Sequence, residues 1–146
     1  MATEDDGKLS DFERQALKDR AAELRKQSSR KGGSKKEKDL QDVLDTIEGL
    51  PEPDKQIAQM IHEVVTETAP QLDPKTWYGF PSYARDGKVV VFYQQASKFD
   101  ARYGTLGFQD NAMLDDGAMW PASFAIVEVT DAVRKRVAEL VKKAAG

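Results

Sequence analysis

Apolar residues recur along this chain in two rhythms, one near 3.6 residues and one near 2, and the order of those rhythms sets the expected architecture. Residues 1–8 are polar and read as disordered. Ser10 followed by Glu13 is the signature of a capping box, in which each side chain satisfies the other's backbone donor, and it opens a helix expected over about residues 10–28. The apolar positions of that helix, Phe12, Ala16, Leu17, Ala21 and Leu24, form a thin stripe among many charges. It is expected to dock weakly or only with a partner. Gln27 to Lys36, rich in Gly, Ser, Lys and Arg, reads as a flexible basic linker.

Two denser stripes follow. Leu40, Val43, Leu44, Ile47 and Leu50 predict an amphipathic helix from Glu37 to Gly49, stopped by Gly49 and Pro51. Ile57, Met60, Ile61, Val64 and Val65 predict a second from about Pro53, with Asp54 favourable to the dipole of its first turn. The short connection between them predicts a packed pair against one face of a sheet.

The period then changes. Residues 75–95, KTWYGFPSYARDGKVVVFYQQ, contain Asp86-Gly87, a type I′ signal because both residues tolerate φ > 0, between two segments rich in β-branched and aromatic residues. This hairpin is the expected centre of the sheet. Tyr103 to Phe108 predicts a strand in which Gly104 and Gly107 permit close approach or a bulge. Ser123 to Val129 predicts another, and Thr130 caps a last helix with core positions Val133, Val137, Leu140, Val141 and Ala144. The fold class is therefore α+β, a small antiparallel sheet covered by helices, with a helical and flexible basic extension over residues 1–35 and the α+β domain over residues 36–146.

Composition narrows the chemistry. A chain of 146 residues buries about two-thirds of its unfolded surface. It has no cysteine, which excludes disulfides, thiolate nucleophiles and cysteine-held metals, and its one histidine excludes a histidine-based metal cluster. His62 has no motif around any serine to make a triad, and neither GxGxxG nor GxxxxGK[ST] occurs. With no nucleophile–base pairing evident, a non-enzymatic role is expected. The N-terminus lacks an apolar leader and no run is long enough to span a membrane, so a cytoplasmic location is expected. Charge is uneven: residues 1–38 carry 11 Lys/Arg against 8 Asp/Glu, and residues 39–146 carry 11 against 17.

Eleven of the twelve aromatic residues lie between Trp77 and Phe124. Phe80, Phe92, Phe108 and Phe124 read as core. Trp77, Tyr78, Tyr83, Tyr103 and Trp120 combine apolar area with a polar handle, which suits the rim of a ligand pocket as well as ordinary packing. Arg85, Lys98 and Arg102 lie in loops near them, where a cation holds an anionic ligand or is simply solvated. Asp39, Asp42, Asp45 and Glu48 recur every three residues on one predicted helix and offer oxygen ligands for a hard cation such as iron, although such a run is also the wet side of an amphipathic helix. Residues 25–38 offer a basic segment for salt-sensitive nucleic-acid contact, or a soluble linker.

Residues 76–94, TWYGFPSYARDGKVVVFYQ, with the strand Tyr103-Gly104-Thr105-Leu106-Gly107-Phe108 and the turn Asp116-Gly117-Ala118-Met119-Trp120-Pro121, resemble the YdhG-like domains. This bacterial group of largely unknown function has a distant frataxin-like relation and an iron-chaperone label on some members. The resemblance spans about Pro53 to Ala145 and implies a small antiparallel sheet covered by helices, with iron as the cofactor or cargo it brings into question. The favoured expectation is a non-enzymatic module that binds a small molecule or protein partner through aromatic residues on the sheet. The alternatives are a frataxin-like iron protein, and nucleic-acid binding through the basic tail.

Overall fold

The computed structural model describes residues 10–28 and 32–146; the expectation of disorder over residues 1–8 and the middle of the proposed linker, residues 29–31, lie outside them. Helix α1 (Asp11–Ser28) opens on the capping box: Ser10 N donates to Glu13 Oε1 at 2.9 Å and Glu13 N to Ser10 Oγ at 3.1 Å. Helix α2 (Gly32–Glu48) begins earlier than the apolar stripe suggested, so residues 32–36 are helical rather than linker. Two ion pairs support this first stretch, Lys35 to Asp39 at 2.8 Å one turn on and Lys36 to Asp73 at 3.8 Å. Helix α3 (Asp54–Thr68) follows.

Five strands, β1 (Asp73–Trp77), β2 (Phe80–Arg85), β3 (Lys88–Gln94), β4 (Gly104–Phe108) and β5 (Ser123–Ile126), form one antiparallel sheet in sequential order. Helix α4 (Asp131–Ala145) closes the chain, its first turn capped by Thr130 Oγ1, which accepts from Val133 N at 3.1 Å. The architecture is thus the expected α+β fold with a small antiparallel sheet. No helix among the described residues is long and apolar enough to cross a membrane.

Side chains alternate between faces along a strand, and directly paired residues share a face, so the register sorts the sheet. Tyr83 pairs with Val91, Val91 with Phe108, Tyr93 with Leu106 and Leu106 with Phe124. This is the helical face, packed under Val43 and Ile47 of α2, Ile57, Ile61, Val64 and Val65 of α3, and Val137, Leu140 and Val141 of α4. The other face carries Trp77, Phe80, Phe92 and Val89. A bulge between these assignments, where Tyr83 pairs with Val91 but Ala84 with Val89, leaves Val90 unpaired and lets Val90 and Val91 both enter the core.

Asp86-Gly87 forms the anticipated turn, with φ of 51° and 82°. Strand β1 went unread in the sequence. Its link to β2, Tyr78-Gly79, is a second turn with φ of 55° and 78° at its two central residues, a conformation a bulky aromatic rarely adopts unaided.

Candidate functional site

That second turn is held from outside. Glu23 of α1 lies across it, and its carboxylate accepts from Tyr78 N and Gly79 N at 2.7 Å each, one bond to each oxygen. Two successive backbone N–H groups turned to one side make a small anion-binding concavity, and here a side chain of the same chain fills it. Burial pushes the Glu23 carboxyl above its ordinary value even though both backbone donors, the Thr76 side chain and Arg20 favour the charged form. Beside it Lys98 pairs with Asp19, Phe12 reaches the Phe99 ring at 6.4 Å, and Ala16 is buried. Phe12, Leu17 and Leu24 are all more than 40% exposed, so α1 is docked chiefly by carboxylates.

The face opposite α2, α3 and α4 is roofed largely by its own rings, with α1 reaching its edge through Phe12 and Arg20. Phe80 stacks on Phe92 at 5.9 Å, Trp77 meets Phe92 edge-on at 5.2 Å and Tyr78 at 5.1 Å, and Phe99 extends the cluster to Phe80 at 5.8 Å. Phe92 settles over Gly107, where a Cβ would meet its ring at 2.2 Å. At one end of this cluster a groove of about 340 Å³ is lined by Trp77, Arg20, Lys75, Lys88, Asp110 and Asn111 among others. The lining thus holds three cations and one carboxylate, with Glu23 outside it at 3.9 Å from Arg20. Arg20 also lies over the Tyr78 ring at 5.6 Å. Burial, then the charges of Arg20 and Lys35, hold the Lys75 ammonium below its ordinary value, against the pull of Asp39 and Glu23. Arg20 Nη1 and Asn111 Oδ1, buried atoms of two residues that line this groove, have no hydrogen-bond partner among the described residues.

The other residues singled out from sequence are distributed differently. Tyr83 is fully buried on the helical face, and its hydroxyl meets His62 Nδ1 at 3.0 Å, so it is a core residue and not part of a surface. Burial raises the Tyr83 phenol and lowers the His62 imidazolium, which leaves a neutral hydrogen-bonded pair at neutral pH. Arg85 donates to the Ala145 carbonyl and so tethers the end of α4. Arg102 lies over the exposed Tyr103 ring at 5.2 Å, at the start of β4. Trp120 is half-buried in a separate cleft of about 430 Å³ with Leu114, Phe124 and Arg136. The single aromatic surface expected around Trp77, Tyr83, Tyr103 and Trp120 is therefore divided among several places. The reason is period 2: Trp77 and Tyr83 are an even number apart in sequence, but the turn between them puts them on opposite faces.

The acidic run of α2 also separates. A step of three residues turns a helix by about 60° short of a full circle, so four such residues spread over half the circumference. Asp39 is buried and paired with Lys35, Asp42 is half-buried beside α1, Asp45 accepts from Gln41 at 2.8 Å, and Glu48 is exposed and paired with Lys55. Among the described residues no group of three or more acidic or histidine side chains is placed to hold a metal ion. Of the basic segment 25–38, Lys35 and Lys36 face acids of the body.

Sequence reading missed Arg20, Lys75 and Lys88 of the groove, and Glu23 and Asp54 as buried carboxylates. A charge on a sparse amphipathic helix carries no mark of what it meets across 55 residues of chain. Asp54 is 2% exposed and accepts from Tyr93 Oη at 2.7 Å, Ala96 N at 2.9 Å and Ser97 N at 2.9 Å. Burial disfavours its charge, but the donors from Ser97, Tyr93 and Ala96 together outweigh it and hold the carboxyl below its ordinary value.

No family model, curated protein or solved structure matches the chain. The resemblance to the YdhG-like domains therefore rests on the motifs quoted above.

Proposed function

We propose that this protein is a non-enzymatic binding module for a small anionic molecule that carries a planar ring, held in the groove at the end of the aromatic face. The observation that carries this reading is the set of three cations, Arg20, Lys75 and Lys88, that line the groove beside the Trp77 indole with Asp110 as the acidic side chain of that lining, Glu23 lying outside it at 3.9 Å from Arg20. An indole wall supplies apolar area and stacking, and cations that lack a full set of carboxylates favour a carboxylate or phosphate. Arg20 Nη1, 3.9 Å from Glu23 Oε1, and Asn111 Oδ1 make no hydrogen bond among the described residues and add one donor and one acceptor to orient it.

The test is a matched-pair titration followed by NMR, with aromatic carboxylates and nucleoside monophosphates set against their neutral counterparts. The Trp77 indole N–H and the Arg20 guanidinium should shift, with the anion bound at least tenfold more tightly and that preference lost in Lys75→Gln. Equal response to neutral analogues, or shifts centred on Trp120, would remove the reading.

A further inference from the structure

Glu23 and Asp19 occupy a place built for anions, and they belong to a helix with few other reasons to be there. The Tyr78-Gly79 turn directs two adjacent N–H groups outward at 2.7 Å from the Glu23 oxygens. Lys98 stands over the same turn: a Cβ on Gly79 would be 2.8 Å from its ammonium nitrogen and 2.7 Å from Asp19 Oδ2. A Cβ there would push both the ammonium and the carboxylate aside, and the φ of 78° independently favours glycine. Gln95, buried, braces the turn by donating from Nε2 to the Gly79 carbonyl at 3.1 Å, and its Oε1 has no hydrogen-bond partner among the described residues. Arg20 Nη1 is 3.9 Å from Glu23 Oε1 and makes no hydrogen bond among the described residues. Two backbone donors, an ammonium and a guanidinium thus converge on two carboxylates from one turn of one helix.

We infer that the Tyr78-Gly79 turn with Lys98 is an anion site for a phosphate monoester, which α1 occupies with Glu23 and Asp19 and which such a ligand takes by displacing α1. The charge of the occupant sets the ligand class. Two adjacent carboxylates fill the position, and a phosphate monoester brings a similar double charge with three acceptor oxygens for the N–H pair and Lys98. The occupant is displaceable because Phe12, Leu17 and Leu24 stay largely exposed and Glu23 is held under desolvation. This site is distinct from the groove around Trp77, although α1 serves both: its departure removes Arg20 from the groove, so the two ligands oppose each other.

Inorganic phosphate at constant ionic strength is the probe, titrated into the full chain and into the full-chain double variant Asp19→Ala/Glu23→Ala, with amide NMR as readout. In the variant, Tyr78 and Gly79 amides should shift saturably, with affinity at least tenfold higher than in the natural sequence. In the natural sequence, high phosphate should instead move the α1 amides, Ala16 and Glu23 included, toward coil values. Adding Lys98→Gln to the variant should weaken phosphate at least tenfold. The inference is overturned if the variant's α1 amides report release while Tyr78 and Gly79 ignore phosphate, if both proteins respond equally, or if Lys98→Gln leaves the response unchanged. The Trp77 indole signal, followed in the same spectra, reports the groove separately.

Discussion

Helices α3 and α1 are each fastened to the sheet by one buried carboxylate that accepts two backbone N–H groups, and the two carboxylates titrate in opposite directions. Asp54 at the start of α3 receives Ala96 N and Ser97 N plus the Tyr93 hydroxyl, and its charge is favoured. Glu23 of α1 receives Tyr78 N and Gly79 N, and its charge is disfavoured. The donors are similar, so what separates the two is how far added hydrogen bonds offset desolvation. Apolar support separates them further: α3 buries Ile57, Met60, Ile61, Val64 and Val65, whereas α1 buries Ala16. One junction belongs to the core, and the other is a latch.

The largest expected effect lies at the first junction. Asp54→Ala leaves three donors without their acceptor and should cost about 3–4 kcal/mol, read as a lowered denaturation midpoint with unchanged slope. If its loss were no larger than that of an exposed acid, the contrast between the junctions would fail. Gly104→Ala comes next, because a Cβ there would lie 1.9 Å from Tyr93 Oη and push the phenol off Asp54. A cost of about 2–3 kcal/mol is expected for such overpacking. A crystal structure with Tyr93 still on Asp54 would count against that route.

Glu23→Ala should leave global stability within about 1–2 kcal/mol, while hydrogen exchange in α1 accelerates far more than in α3. Equal acceleration of both helices would mean that α1 belongs to the same cooperative unit. The smallest effect is the pH dependence, where the signs separate the latch from the core. The Asp54 contribution is present above its ordinary value of 3.8 and is lost as pH falls through the lowered one. The Glu23 contribution is present below 4.5 and is lost as pH rises through the raised value. Exchange in α1 should therefore slow on mild acidification, relative to its intrinsic rate, while stability at the Tyr93–Asp54 junction is retained. Parallel pH responses in the two places would contradict the opposite shifts.

The same contrast explains which parts of the molecule were readable. The caps at Ser10 and Thr130, the α3 and α4 stripes, the Asp86-Gly87 turn and the glycines of β4 were all legible, because each is a local pattern whose physics lies within a few residues. Strand β1 was obscured by Pro74 and by a turn whose left-handed tyrosine has no compositional mark. Tyr83 looked like Trp77 in sequence and lies on the other side of the sheet.

Local sequence therefore determined where the chain is helical, where it pairs and where it reverses, since hydrophobic period, capping and turn stereochemistry act over single turns and neighbouring residues. Tertiary structure alone decided which charges are buried, which cations gather beside Trp77, and that Glu23 closes over a turn 55 residues away. Electrostatic environment is a property of the atoms that folding brings together, and adjacency along the chain does not encode it.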